Sequence, residues 1–343
     1  MTDKKKYKQG IDFVIPAYDI RTFDYIKVCV ASIQKFWKDY PYTIHIVVNY
    51  ENIEEVDQYR DYFQKQYLSD LKTLWPHKTI EHENECIRVI EGVDQSESIR
   101  VSRAGGITQR VGTTAPGFPL GITKGKIDGN GVAAGSWYGA FAFNKALKEC
   151  DREYVCAIHE GSIFLSDHAP NLIKIMEKGY YKFISNRWCP GRVFRVGGNN
   201  WDDGMARCMI FLCKRELYDE IEAQNYVEKG IWTTSPWNCD YRDMTGNMTW
   251  YAKQKGYPFL ILDNSFEDKY RSKHEYKKQH VLNIKTGRHD TEQAWVNGIP
   301  IWFHHGRGGY RPTNSLNEWL EKTTEYLKSN KGIRDERGRY NFG

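Results

Sequence analysis

A short segment near the carboxyl end of the chain concentrates side chains that could bind phosphate and metal ions. Residues 302–311 have the sequence WFHHGRGGYR. Guanidinium groups bind phosphate through two parallel hydrogen bonds, and glycine lets the backbone approach an anion closely. Core packing rarely requires arginine and paired histidine among glycines, so we favour a binding role for His305, Arg307 and Arg311. The alternative is that a histidine covers the edge of the core and the glycines only turn the chain.

A second candidate is the sequence HEGS at residues 159–162, which follows an apolar run at 154–158. A carboxylate and an imidazole at the end of a strand could hold a divalent cation, Glu160 through oxygen and His159 through nitrogen. For His159 alone, a neutral histidine with an ordinary hydrogen bond is the more common situation.

The first hundred residues contain the elements that must position such side chains. Apolar, β-branched runs at 11–15, 43–48 and 86–90 alternate with amphipathic helical patterns at 24–38 and 53–67. This alternation is typical of a parallel sheet covered by helices.

Polar residues stand where the first two strands are expected to end. We expect Pro16 to end the first strand, since proline cannot extend a central ladder, and residues 16–19 are PAYD. The second strand runs into NYEN at 49–52. Ligands of parallel sheets bind at the carboxyl ends of the strands, so the site is expected at this edge.

The rest of the chain continues the alternation around one long glycine-rich interruption. Residues 104–136 match neither a P-loop nor a dinucleotide-binding fingerprint, and they are interpreted either as a flexible loop or as a lid over a substrate. Helices are predicted at 137–148, 171–178, 216–222, the second half of 237–255 (capped by Gly256) and 316–327, with strands at 154–158, 182–185, 208–212 and 259–262.

Composition excludes several classes of protein. The 343 residues are 40% hydrophobic and 27% charged with a formal net charge of +5, which excludes collagen-like and wholly disordered chains. No run of about 18 apolar residues is present, and no signal-peptide core follows the charged start, so a soluble cytoplasmic protein without a transmembrane segment is expected. The eight cysteines lack C-x-x-C spacing, which favours reduced, buried thiols over a disulfide framework or a zinc site.

The order of these motifs resembles the GT-A fold glycosyltransferases, in particular the family 2-like group that uses nucleotide-sugar donors. The resemblance spans about residues 10 to 265. The family's Pro-x-Tyr-Asn at the end of the first strand corresponds to PAYD at 16–19, and its Val-Asp after the second strand to Val48 and Asn49. Its Ala-x-Asn-x-Gly/Ala-Leu helix corresponds to AFNKAL at 142–147, and its Asp-x-Asp metal element to HEG at 159–161. Glu160 is then the carboxylate of that element unless Asp167 also contributes.

The resemblance implies an α/β, GT-A-like (Rossmann-like) fold: a mostly parallel central sheet with helices on both faces, plus a C-terminal acceptor-side extension. We expect a single domain over 1–343. Within it, residues of about 10–185 would form the nucleotide-sugar-binding half, 186–312 the acceptor and catalytic half, and 313–343 a C-terminal helix and tail.

Sugar transfer from a diphosphate donor requires the charge of the leaving group to be neutralised by a divalent cation or by fixed Arg and Lys side chains. The resemblance implies a Mn²⁺ or Mg²⁺ ion held by Glu160, His159 and His305, with His304 as the alternative histidine. The residues implied to bind the donor are Pro16, Tyr18, Asp19, Asn49, Asn144, Arg307 and Arg311.

An inverting enzyme also needs a carboxylate base for the acceptor hydroxyl. Asp240 and Asp243 precede a predicted helix, as the family's Glu-Asp element does, and are the expected base. Asp202 and Asp203 are the alternative, and acids at a helix start also simply complement its dipole. The acceptor side is expected to include Trp201, Asp202, Asp203 and Trp237.

The resulting hypothesis is a hexosyl- or pentosyltransferase that moves a sugar from a nucleoside diphosphate sugar to the hydroxyl of a glycan acceptor. Among the donors, a UDP-sugar is favoured. Two alternatives stay open. Basic chain ends and many aromatic residues suggest DNA modification, with hydroxymethylated bases of viral DNA as acceptor. The altered Asp-x-Asp element suggests a non-catalytic sugar- or nucleotide-binding pseudoenzyme.

Overall fold

A computed structural model gives the structure of the chain. It describes residues 7–18, 22–74, 86–94, 98–103, 107–113, 142–186, 188–189, 194–196, 199–201, 205–206, 209–222, 245–264, 292–296, 299–304 and 314–329.

Short strands and helices alternate along the described chain. The strands are β1 (Lys8–Tyr18), β2 (Tyr42–Tyr50), β3 (Ile87–Asp94), β4 (Ser98–Arg103), β5 (Ile107–Thr113), β6 (Arg152–Ile158), β7 (Ser162–Phe164), β8 (Phe183–Ser185), β9 (Trp188–Cys189), β10 (Phe194–Val196), β11 (Asn199–Trp201), β12 (Met205–Ala206), β13 (Ile210–Lys214), β14 (Phe259–Ile261), β15 (Asp263–Asn264), β16 (Glu292–Val296) and β17 (Ile299–His304). The helices are α1 (Phe23–Phe36), α2 (Glu54–Asp61), α3 (Tyr67–Leu74), α4 (142–147), α5 (Asn171–Lys178), α6 (Arg215–Glu222), α7 (Gly246–Gln254) and α8 (Asn314–Lys328), and a π-helical turn at Tyr62–Gln66 joins α2 to α3.

Seven strands form the central sheet, in the order β14-β8-β13-β6-β1-β2-β3. The pairings are parallel except at β13, which runs antiparallel to both of its neighbours, β6 and β8. Buried side chains of α1, α2, α3, α5 and α8 pack on one face, and those of α4, α6 and α7 pack on the other. The predicted fold class, an α/β chain with a mostly parallel sheet and helices on both faces, is confirmed.

The two faces of the sheet follow from the alternation of side chains along each strand. On β1, Ile11, Phe13 and Ile15 belong to the core cluster beneath α1, whereas Val14 belongs to the cluster beneath α4. Strands covered on both faces have near-continuous apolar sequences, and this explains why β1 and β2 were recognisable from the sequence.

The prediction that Pro16 ends the first strand is wrong, because β1 extends to Tyr18 and Pro16 pairs with Val47 of β2. β1 pairs with β6 as far as Val14 and Ala157. Beyond that point β1 pairs, among the described residues, with β2 alone, and such an edge-like position tolerates a proline.

A second, antiparallel sheet in the order β15-β16-β17-β7 was not predicted from the sequence. Its strand β17 contains Trp302 and His304, which pair with Phe164 and Ser162 of β7. Phe164, Trp302 and Phe303 are fully buried in the core cluster beneath α1. The second sheet is therefore packed onto the same core as the central sheet.

The structure also bears on several smaller features of the sequence. Gly256 follows α7 with φ of +66°, which fits the predicted C-cap. Within the glycine-rich region, residues 107–113 form β5, antiparallel to β4. Free thiols are present at Cys29, Cys150, Cys156 and Cys213, which are buried, and at the half-buried Cys86. Among the described residues, no helix has the length and apolar character needed to span a bilayer.

Candidate functional site

The carboxyl ends of β1, β2 and β6 lie at one edge of the central sheet. Tyr18, the last residue of β1, pairs with Asn49 near the end of β2. Val14 pairs with Ala157 of the parallel strand β6, so the chain leaves β6 beside the end of β1. His159 and Glu160 follow directly, which places the predicted metal element at the edge where the donor-binding motifs end.

The end of β2 is in close contact with the end of β3. The Asn49 side chain is fully buried, and a Cβ atom at Gly92 of β3 would lie 2.5 Å from Asn49 Oδ1. Lys145 of α4 donates a hydrogen bond from Nζ to the carbonyl oxygen of Gly92 at 3.1 Å. Lys145 follows the predicted donor-binding residue Asn144 on that helix. Sequence reasoning missed Gly92, because a lone glycine in an apolar run carries no signal of its own.

His159 and Glu160 form an imidazole–carboxylate pair. The distance from His159 Nδ1 to Glu160 Oε2 is 2.9 Å, and the two side chains are 17% and 9% exposed. Glu160 Oε2 is buried and has no hydrogen-bond partner among the described residues, so the contact is a short charge–dipole approach and not a hydrogen bond. The pair thus places a ring nitrogen and an unsatisfied carboxylate oxygen at the sheet edge.

His304, from the second sheet, lies beside His159. Its ring centroid lies 5.4 Å from that of His159, with the two rings at 72°. The His304 ring is also parallel to the indole of Trp302, with ring centroids 5.8 Å apart and an interplanar angle of 3°. The sequence had offered His304 as the alternative to His305, and the structure shows His304 beside His159, whereas His305 lies outside the described residues.

The charge of Glu160 acts on two buried side chains of α1, Tyr25 and Cys29. Burial raises the pKa of the Tyr25 hydroxyl and of the Cys29 thiol, and the Glu160 carboxylate raises both further. Within the described part of the chain, the buried Tyr25 hydroxyl and the buried Ser162 Oγ have no hydrogen-bond partner. Unsatisfied buried oxygens beside a histidine–carboxylate group are a feature of sites completed by a ligand or by water.

The donor atoms fit a divalent cation that accepts nitrogen. One carboxylate and two imidazoles suit Mn²⁺ better than Mg²⁺, which prefers oxygen ligands. Asp167 is exposed, and its charge acts on Lys35 and Tyr326. At this edge of the sheet, the described side chains that could offer atoms to a cation are therefore those of His159 and Glu160, with His304 beside His159.

The remaining candidate residues divide into two groups. The structure describes Pro16 as buried in β1, Asn144 on α4, and the backbones of Tyr18 and Trp201 in strands. Residues that lie outside the described part of the chain are Asp19, Asp202, Asp203, Trp237, Asp240, Asp243, His305, Arg307 and Arg311.

Comparison with known proteins gives matches among solved structures. No protein-family model matches the chain. No curated protein matches it either. A mannosyltransferase, PcManGT from Pyrobaculum calidifontis in complex with GDP-Man and Mn²⁺, is 13% identical; the match covers 75% of this chain and 56% of that one, at a TM-score of 0.41.

Two further structures are similar to the chain. The galactosyltransferase LgtC, in complex with donor and acceptor sugar analogs, is 13% identical over 95% of this chain and 98% of that one, at a TM-score of 0.41. S. aureus TarS 1-349 is 10% identical over 68% of this chain and 57% of that one, at a TM-score of 0.32. The chain thus covers a little over half of the length of PcManGT and of the TarS fragment. At such low identities, these similarities assign no role to any side chain.

Proposed function

We propose that the chain is a glycosyltransferase that takes a sugar from a nucleoside diphosphate sugar. One observation carries the proposal: His159, Glu160 and His304 meet at the carboxyl edge of a mostly parallel sheet, beside the ends of β1 and β2. This edge is where α/β sheets bind ligands, and the motifs along it are those that resemble the GT-A glycosyltransferases.

Glu160, His159 and His304 would hold a divalent cation, with Mn²⁺ favoured by the two imidazoles. Such a cation, when bound, neutralises the charge of the diphosphate leaving group. The Glu160 carboxylate lies 2.9 Å from Nδ1 of His159, and the indole of Trp302 stacks parallel to the ring of His304. His305 keeps its proposed role in the same group, next in the chain to His304.

The nucleoside would bind where β2 and β3 end. Asn49 and Gly92 would lie beneath the nucleoside, and Lys145 adds a positive charge beside it. Tyr18 and Asp19 would contact the nucleoside from the end of β1, and Pro16 and Asn144 would line the sides of the site. Arg307 and Arg311 would grip the phosphates through paired hydrogen bonds.

On the acceptor side, Asp240 or Asp243 would remove the proton of the attacking hydroxyl. Trp201, Asp202, Asp203 and Trp237 would contact the acceptor, since indole rings stack well on the apolar faces of sugars. A UDP-sugar is the donor we favour, and a glycan hydroxyl is the favoured acceptor.

The proposal is tested by measuring nucleotide release from a panel of UDP-, GDP- and CMP-sugars with Mn²⁺, with Mg²⁺ or with chelator. We expect turnover with Mn²⁺ and one donor class, and a loss of roughly 10²-fold in Glu160→Gln, as for removal of one group that stabilises developing charge. His168→Gln, at a half-exposed turn position, is the control and should keep its activity.

Two outcomes count against the proposal. Donor binding without turnover over any acceptor, measured by calorimetry, supports the pseudoenzyme alternative. If no nucleotide sugar binds, both the glycosyltransferase function and the pseudoenzyme alternative are excluded. Asp240→Asn and Asp243→Asn then identify the base, because only the true base should lose turnover while keeping donor affinity.

A further inference from the structure

Three buried oxygen atoms at the candidate site have no hydrogen-bond partner among the described residues. They are the Tyr25 hydroxyl on α1, Glu160 Oε2 after β6 and Ser162 Oγ at the start of β7. The three residues are 2%, 7% and 0% exposed. Burial of a hydroxyl or carboxylate oxygen without a partner is costly, so native proteins satisfy nearly all such atoms. These oxygens therefore need a partner other than the described side chains and backbone.

The packing of α1 against β7 brings the two hydroxyl groups to the same region. Ser32 Oγ on α1 accepts a hydrogen bond from the backbone N–H of Phe164 on β7 at 3.0 Å. Tyr25, Cys29 and Ser32 lie on one face of α1, since they are four and three residues apart. Ser162 is two residues from Phe164, so both side chains lie on the same face of β7.

Glu160 lies close to the same face of α1. Burial raises the pKa of the Tyr25 hydroxyl, and the Glu160 carboxylate raises it further. The carboxylate has the same effect on the pKa of the Cys29 thiol, one turn along the helix. The Tyr25 hydroxyl therefore keeps its proton and can donate a hydrogen bond, and a carboxylate oxygen such as Glu160 Oε2 can accept one.

Ser162 adjoins the histidines of the candidate site. It pairs with His304 across the antiparallel strands β7 and β17, which places both side chains on one face of the second sheet. The rings of His304 and His159 have their centroids 5.4 Å apart, and His159 Nδ1 lies 2.9 Å from Glu160 Oε2. Ser162 and Glu160 thus each neighbour one ring of this histidine pair.

From this arrangement we propose that an enclosed water molecule links Tyr25 and Ser162 to Glu160, and that the two hydroxyl groups thereby position the Glu160 carboxylate. A buried water typically makes about three hydrogen bonds to polar groups that otherwise lack partners. This water accepts a hydrogen bond from the Tyr25 hydroxyl and donates to Glu160 Oε2 and to Ser162 Oγ. A hydroxyl of a bound sugar is a poorer partner, since all three oxygens are closed off from the surface.

The link bears on the cation that Glu160 would hold, and this consequence rests on the proposed function. Hydrogen-bonding groups that orient a metal ligand typically contribute about 10- to 100-fold to metal affinity. Tyr25 and Ser162 are positioning residues in this sense, because they act on the cation through Glu160 and do not touch it.

The first test is the Mn²⁺ affinity of the full chain, measured from the electron paramagnetic resonance signal of free Mn²⁺. We expect Tyr25→Phe and Ser162→Ala each to bind Mn²⁺ about tenfold more weakly than the unmodified chain. Tyr326→Phe is the matched control, because Tyr326 is also buried but its hydroxyl donates directly to the carbonyl oxygen of Leu165. Unchanged affinity in both Tyr25→Phe and Ser162→Ala overturns the positioning role, as does an equal loss in Tyr326→Phe.

The second test needs no cation. Urea unfolding in the presence of chelator compares Tyr25→Phe, Glu160→Gln and the double variant. We expect Tyr25→Phe to lower the urea midpoint of the unmodified chain and to lower that of Glu160→Gln by less, because members of one hydrogen-bond network are not additive.

Additive shifts of the midpoint overturn the link between Tyr25 and Glu160. A midpoint that stays unchanged or rises in Tyr25→Phe also overturns it, since the hydroxyl would then have no partner to lose. A chain that binds no Mn²⁺ but shows the expected coupling retains the link and removes the cation from the proposed function.

Discussion

At the scale of single residues, the lack of a side chain at Gly92 allows the ends of β2 and β3 to approach each other closely. A Cβ atom at Gly92 would lie 2.5 Å from Asn49 Oδ1 and 2.6 Å from the carbonyl oxygen of Val48. Backbone cannot move aside as easily as the end of a flexible side chain. The proposed nucleoside position therefore depends on a glycine that makes no contact through a side chain of its own.

We expect Gly92→Ala to lower donor affinity, because the added methyl group pushes the end of β2 and the Asn49 side chain out of position. Overpacking of this kind costs about 1–3 kcal/mol of folding free energy. The measurement is calorimetric donor affinity beside urea unfolding. Gly256→Ala is the control: its φ is +66° and nothing lies within 4 Å of an added Cβ, so it should lose about 1 kcal/mol through backbone strain and keep donor affinity. Unchanged donor affinity in Gly92→Ala would remove Gly92 and Asn49 from the nucleoside site.

At the scale of secondary-structure elements, Lys35 links the end of α1 to the end of α8. Its Nζ donates hydrogen bonds to the carbonyl oxygens of Leu327 and Ser329 at 2.7 and 3.1 Å. It also lies over the rings of Phe36 and Tyr326. Cations suit the carboxyl ends of helices, but this amine is largely removed from water, and burial lowers the pKa of Lys35 to about 8. The Asp167 carboxylate partly opposes this effect of burial on the pKa.

This pKa leads to a stability prediction with a definite sign. Between the folded pKa of about 8 and the ordinary lysine value of 10.5, the unfolded chain holds more protons at Lys35 than the folded chain does. Stability rises with pH wherever the unfolded state binds more protons, so Lys35 should make the free energy of unfolding increase from about pH 8 to about pH 10.

Lys35→Met should remove this increase, whereas Lys72→Met, at an exposed position of α3, should keep it. Urea unfolding at a series of pH values provides the comparison. Parallel stability–pH curves for the unmodified chain and Lys35→Met would show that the Lys35 amine keeps an ordinary pKa in the folded protein.

At the scale of the whole molecule, the candidate site lies where two sheets meet. The chain leaves β6 of the central sheet, passes through His159 and Glu160, and enters β7 of the second sheet. β17 then brings His304 to the same place by pairing with β7. The position of His304 consequently depends on how the second sheet packs on the shared core.

Trp302→Ala tests this dependence, because Trp302 is fully buried and its ring is parallel to that of His304. Loss of a buried tryptophan should cost about 3–5 kcal/mol of stability. Mn²⁺ affinity should also fall by roughly tenfold or more, as when a group that supports a metal ligand is removed. Phe183→Ala, at a fully buried position of β8 in the other core cluster, should lose similar stability but keep Mn²⁺ affinity. Equal Mn²⁺ affinities in the two folded variants would contradict a supporting role for the second sheet.

Much of the fold could be predicted because local periodicity reports burial. The patterns at 24–38 and 171–178 predicted α1 and α5 to within two residues, and the β-branched run at 43–48 predicted the centre of β2. Side-chain alternation and helical spacing are properties of the neighbouring residues themselves, so a sequence displays them directly. The carboxyl-edge positions of Asn49 and Glu160 follow from the same patterns once the strands are taken as parallel.

The sequence by itself therefore determined the alternating elements, the mostly parallel sheet and the edge at which the polar residues collect. Only the tertiary structure decided the reversed direction of β13, the second sheet, the choice of His304 beside His159, and the approach of Glu160 to Tyr25. Each of these depends on contact between segments far apart in the chain. Periodicity shows that a strand is buried, but it does not encode which strand lies next to it, or in which direction.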